Sequence, residues 1–88
     1  MNEYDDIRPD IRETLDAWAS TGRPVGGFLE AVLTNDLFGA VGRADSYNIE
    51  TIPAICSYVY NELPSTCWGS REKVAAWSAA HSDLAVLP

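Results

Sequence analysis

The chain is poor in the side chains from which most reactive sites are assembled. Its 88 residues include one histidine and two cysteines, and no close Cys/His spacing occurs. A zinc site is therefore not expected, and no cofactor is predicted. Basic residues are also scarce, 6 against 13 acidic, for a formal net charge of -7. Such a chain is repelled by DNA, RNA and anionic lipid unless its few cations cluster, and it suits a basic protein surface better. No apolar run approaches the roughly 18 residues that a membrane span needs. The segment Met1 to Asp6 is acidic where a signal peptide would be basic and then apolar. The expected location is cytoplasmic, where Cys56 and Cys67 would be free thiols. Internal repeats and low-complexity tracts are absent.

What remains is the pattern of a small folded domain. Hydrophobic residues make up 47% of the chain, an ordinary fraction for a globule, and the length suits one domain spanning 1–88. Ile7, Ile11, Leu15 and Trp18 recur at helical spacing, with Asp10, Glu13 and Asp16 facing away. Pro9 fits near the start of that helix, and Gly22 followed by Pro24 closes it. A second helix is predicted from about Gly26 to Leu33, burying Phe28, Leu29, Val32 and Leu33. Asn35 or Asp36 can cap a third segment, Leu37 to about Ala44, unless the two form one bent helix. Gly39 and Gly42 weaken that segment or let another helix approach closely. Asn48 or Thr51 can cap a fourth helix, whose inward face is Ile52, Ile55, Cys56, Val59 and Leu63. Ser70 caps a fifth, Arg71 to His81. Residues 1–6 are expected to fray and 82–88 to form an apolar tail. The expected fold is all-α, a compact irregular or orthogonal bundle of four to five short helices.

Candidate functional residues are few. Pro24-Val25-Gly26-Gly27 opens a helix, so bare backbone N–H groups there favour an anion, with Arg23 nearby. Arg43 follows Gly39-Ala40-Val41-Gly42 and offers a second meeting of backbone and cation, unless it pairs with Asp36 or Asp45. A nucleotide pocket could draw on Arg23, Gly26, Gly27, Asn35, Asp36, Arg43, Asn48 and Tyr60, if those residues converge. A protein interface could use the acids Asp10, Glu13 and Asp16, or Trp68 as an anchor. Trp18 and Trp77 are expected in the core; Cys56 belongs to the core pattern and Cys67 to a partly exposed loop. Ser70 and Lys73 spell the Ser-x-x-Lys string of serine acyl-transferases, but a cap followed by a surface lysine spells the same. His81, Asp36 and Cys67 are the remaining reactive groups, and no catalytic arrangement is predicted.

Two motifs extend across most of the chain. One is Pro24-x-Gly26-Gly27-Phe28-Leu29-x-Ala31-Val32-Leu33-x-Asn35-Asp36-Leu37. The other is Tyr60-Asn61-x-x-Pro64-x-x-Cys67-Trp68-Gly69-Ser70, with Arg43-Ala44-Asp45 and Asn48 between them. Together they resemble a group of small proteins encoded by bacteriophages and prophages, over roughly Pro9 to Trp77. The resemblance implies a setting, an infected bacterial cell, and no catalytic residues. Small acidic phage proteins often act on host machinery, so the expected function is non-enzymatic inhibition of a host antiviral defence by binding. The target would be a cyclic nucleotide signal or a defence protein such as a CRISPR effector, with self-association into a homo-oligomer plausible for so small a core. The alternatives are a minor structural or assembly protein of the virion, or a general host-protein-binding module.

Overall fold

The computed structural model describes residues 4–86. Five α-helices and one 3₁₀ turn make up the fold: α1 (Pro9–Thr21), α2 (Gly27–Leu33), α3 (Leu37–Arg43), α4 (Ser46–Glu62), the turn Ser65–Cys67, and α5 (Arg71–Val86). No strand occurs among the described residues. The bundle is all-α, as its helical periodicities require. Its shortest dimension is 19 Å, about two helix diameters.

Local chemistry explains most of the boundaries. Pro9 opens α1, where its missing N–H is no loss, and Gly22 closes it in the left-handed region with φ 71°. α2 and α3 are separate helices. Asn35 takes φ 65° between them, a conformation that asparagine tolerates better than most residues. Asp36 then caps α3 by accepting from the Gly39 N–H at 3.0 Å. α4 starts earlier than expected, because Asp45 accepts from the Asn48 N–H at 2.7 Å and so serves as its cap. Asn48 and Thr51 consequently lie within α4, both buried, and Pro53 falls in its interior.

The inward face of α4 is rotated from the predicted one. Ile55 and Val59 are buried as expected, but Tyr58, Asn48 and Thr51 replace Ile52 and Cys56. Tyr58 accounts for the rotation. Its ring meets Tyr4 edge-on at 5.0 Å, and its hydroxyl donates to the Asp16 carboxylate on α1. Burying a large aromatic ring whose hydroxyl finds a partner gains more than burying a thiol. The two cysteines therefore exchange places: Cys56 is exposed and Cys67 fully buried. Tyr4 is itself a core residue and shares a turn with Asp5 and Asp6, so the expected fraying does not extend to residues 4–6. Residues 1–3 lie outside the described chain. At the other end α5 runs on to Val86, so helix replaces most of the expected tail; residues 87–88 lie outside the described chain. In α2 the deepest residues are Leu29, Ala31 and Leu33, while Phe28 and Val32 are half-buried.

Tryptophans join the elements. The Trp18 indole N–H donates to the Cys67 carbonyl at 3.0 Å. The Trp18 carbonyl accepts from the Trp77 indole at 2.9 Å and from the Gly22 N–H at 2.9 Å. One residue thus ties the end of α1 to the 3₁₀ turn and to α5. The neighbouring Gly69 N–H reaches the Leu33 carbonyl at 2.7 Å, anchoring the same loop to the end of α2.

Gly22 cannot readily become alanine. A Cβ there would lie 2.3 Å from the His81 Cβ and would also hold a left-handed φ. Gly22→Ala is expected to lose more than the roughly 1–2 kcal/mol of the backbone strain alone, read as a lowered midpoint in urea unfolding. Trp77→Phe keeps most of the buried ring but loses the bond to Trp18, and should cost about 1 kcal/mol by the same measurement.

Candidate functional site

The eight residues proposed for a nucleotide pocket do not meet in one place. Gly27, Asp36 and Arg43 share a polar hollow of about 100 Å³ between the start of α2 and α3. Glu30, Thr34 and Arg71 complete it, and Arg71 was not anticipated. Asn35 and Tyr60 line a different cleft, and Arg23 and Gly26 border neither. Asn48 is buried, and its side-chain oxygen has no hydrogen-bond partner.

Arg43 forms no ion pair with Asp36 or Asp45. Asp45 instead lies 3.5 Å from the Arg8 guanidinium. Arg43 folds back along α3, its guanidinium 3.4 Å from the Gly39 carbonyl and its stem beside Gly27.

The acidic face of α1 is largely engaged within the molecule. Asp10 pairs with Arg8 at 3.1 Å. Asp16 accepts the Tyr58 hydroxyl, while the Arg12 guanidinium lies 5.2 Å from the centre of the Tyr58 ring. Burial, and then the bond to Asp16, push the Tyr58 phenol above its ordinary pKa. Glu13 is exposed and borders a shallow hollow with Asp5 and Arg12.

The second cleft has a more definite character. Val32, Asn35, Cys56, Val59, Tyr60, Trp68 and Gly69 enclose about 330 Å³, a volume at the lower end of ligand pockets. Trp68 is half-buried; its indole N–H donates to the Leu63 carbonyl at 3.3 Å, and its ring lies 5.7 Å from that of Tyr60. Tyr60 is 72% exposed and forms the outer lip. No charged side chain lines this cleft. Ala31, Val32, Asn35 and Cys56 also line a smaller hollow with Asp36, Leu37, Ala40 and Ile52, so a mostly apolar surface continues from Trp68 towards α3.

That surface includes residues that the sequence reading passed over. Phe38 is 88% exposed, and Leu37, Val41 and Ile49 are also open to solvent. A signal for it was available in α4. Ile49, Ile52, Pro53, Cys56 and Tyr60 form a second apolar stripe beside the buried one, giving that helix a wider apolar arc than one core contact needs.

The reactive groups are scattered. The Ser70 hydroxyl accepts from the Lys73 N–H at 3.1 Å and caps α5, while the Lys73 ammonium reaches the Ser65 carbonyl at 3.2 Å. The His81 Nδ1 lies 2.8 Å from the Trp77 carbonyl, with its ring against that of Trp77. Burial raises the pKa of both thiols, Cys67 being partly offset by its contact with Trp18. Among the described residues no group of three or more His, Cys, Asp or Glu could hold a metal ion. No helix there is long and apolar enough to cross a membrane.

Comparison with known proteins adds no family: no family model, no curated protein and no solved structure matches this chain.

The exchange of the two cysteines predicts a thiol count. Native protein should react with Ellman's reagent at one thiol, removed by Cys56→Ser, and at two after unfolding. The native reaction should be slower than that of a free cysteine at neutral pH, because the raised pKa leaves less thiolate.

Proposed function

We propose that this chain is a non-enzymatic, phage- or prophage-encoded inhibitor that docks on a protein of a host antiviral defence through the Trp68–Tyr60 cleft. The observation that carries this reading is the cleft itself: an uncharged recess with an aromatic lip and aliphatic walls. Such a recess fits one large apolar side chain of a protein partner. Asn35 and the Tyr60 hydroxyl supply the polar groups that would orient it. The infected-cell setting rests on the two motifs, Pro24 to Leu37 and Tyr60 to Ser70.

Geometry favours a protein over a nucleotide messenger. A cyclic nucleotide presents phosphates, which need cations or free N–H groups beside the surface that stacks the base. Here the stacking aromatics line one cleft, and Arg43 and Arg71 line another of only about 100 Å³. That is below the roughly 300 Å³ at which small-molecule sites begin.

The test is phage plating on bacteria that carry single defence systems, with and without this protein. CRISPR, restriction and nucleotide-signalling systems would form the panel. Plating should recover on one of them, and the purified protein should bind one component of that system. Tyr60→Asp should weaken that binding about thirtyfold, the scale of an interface hot spot near 2 kcal/mol. Arg43→Ala with Arg71→Ala should leave it unchanged. Loss of protection with the arginine variants but not with Tyr60→Asp would overturn the docking reading in favour of nucleotide capture. Failure to restore plating on any system would overturn the inhibitor reading.

A further inference from the structure

The two glycines of α3 have different explanations. Gly39 leaves room for its neighbours: a Cβ there would lie 2.2 Å from an Asp36 carboxylate oxygen and 2.8 Å from the Arg43 guanidinium, so both side chains would have to shift. The cap and the folded-back arginine both occupy the space that a side chain would fill. Gly42 has no such reason. Nothing lies within 4 Å of where its Cβ would be, and its φ is not in the left-handed region. Glycine inside a helix is less favourable than alanine, and no contact within this chain offsets that cost. A bare backbone at an open helical position is suited to close approach by something outside the molecule.

The same helix carries the counterpart. Phe38 lies one turn before Gly42, on the same face, and is 88% exposed, with Leu37 at 62% and Val41 at 46% beside it. At about 200 Å² for an aromatic side chain, Phe38 alone leaves well over 150 Å² of apolar surface in water. A projecting ring and a notch four residues apart on one helix form a self-complementary pair. A two-fold axis through the midpoint, at the level of Ala40, sets α3 antiparallel to its copy. Phe38 of each chain then lies over Gly42 of the other.

The charges suit the same arrangement. The face formed by Leu37, Phe38, Val41 and Gly42 carries no ionisable group, so two chains of net charge -7 can meet there without placing like charges in contact. Asp36 and Arg43 lie on the other side of α3, against Gly39 and Gly27, and stay clear of this contact. Ile49 of α4 is also exposed, at 40%.

We infer that the exposed face of α3 is a homodimer interface, in which Phe38 of each subunit packs into the notch at Gly42 of its partner. This inference uses α3 and not the Trp68–Tyr60 cleft, so it stands or falls separately from the proposed function.

Sedimentation equilibrium on the purified full chain, from low micromolar to several hundred micromolar, tests it. The expected result is a mass rising with concentration from 9.6 kDa to twice that value. The rise should strengthen with added salt, which screens repulsion between like-charged chains. Phe38→Ala removes the projecting ring, and Gly42→Phe fills the notch; each should weaken dimerisation at least tenfold. Both positions are exposed, and circular dichroism would check that each variant keeps its helix content. The double variant Phe38→Ala/Gly42→Phe exchanges ring and notch, and the two-fold pairing should restore the dimer. A wild-type chain that stays monomeric throughout would overturn the inference. So would a dimer indifferent to Gly42→Phe, or a double variant no better than the weaker single.

Discussion

The fold depends on a single tryptophan. Trp18 sits at the end of α1, 3% exposed, and makes three hydrogen bonds to groups outside its own side chain or helix interior. Its indole holds the Cys67 carbonyl, and its own carbonyl holds both the Gly22 cap and the Trp77 indole. A buried polar group left without a partner costs more than a hydrogen bond gains. Losing the Trp18 side chain would therefore orphan the Cys67 carbonyl, besides opening a cavity in the core cluster. The loop that carries Trp68 is held from one side by Trp18 and from the other by the Leu33 carbonyl. The aromatic cleft inherits its shape from that clamp.

Much of the fold was legible because its signals are local. Pro9, Gly22, Asp36 and Ser70 mark helix ends by backbone chemistry that hardly depends on the rest of the molecule. The stripes Leu15–Trp18 and Ile55–Val59 follow from helical spacing alone, while Ile7 is buried from the turn before α1. Errors arose where two apolar faces competed for one core. In α4, Cys56 and Tyr58 lie 200° apart at about 100° per residue, and nothing in the local pattern says which turns inward. The choice rests on Asp16 and Tyr4, more than forty residues away in the sequence. The burial of Cys67 likewise depends on a distant bond to Trp18. For the site, residue types suggested a polar pocket, but convergence is a tertiary property. Asn35 and Arg43 bracket the same short helix and still face different recesses. Phe38 was missed because an aromatic residue in a helical pattern is ordinarily read as core.

The surface divides by charge. On α1 the carboxylates of Asp10 and Asp16 are occupied by Arg8 and Tyr58, which leaves less free charge than the sequence suggests. Between α3 and Trp68 the recesses are lined mostly by apolar side chains, with Asp36 the charged group among them. Apolar surface of this extent on a small chain marks contact with other molecules. The dimer contact through α3 and the partner contact through the cleft would use adjoining parts of it, with Cys56 and Ile52 between them.

The bond between Trp77 and Trp18 spans 59 residues, and it has a dynamic consequence. α5 joins the rest of the protein through Val74 and Trp77, His81 near Gly22, the Lys73 bond to Ser65, and the short loop at its start. A helix held in this way can detach as a cooperative unit at a lower free energy than global unfolding. Its amides would then exchange with solvent hydrogen well before those of α1 and α4. The transient open form would bare the Trp18 carbonyl and the residues flanking α2, Val25 and Thr34, now facing Val74 and Ser78 across a recess of about 360 Å³. The molecule would thus carry, beside its permanent surfaces, one that exists only for the small fraction of time that its last helix is away.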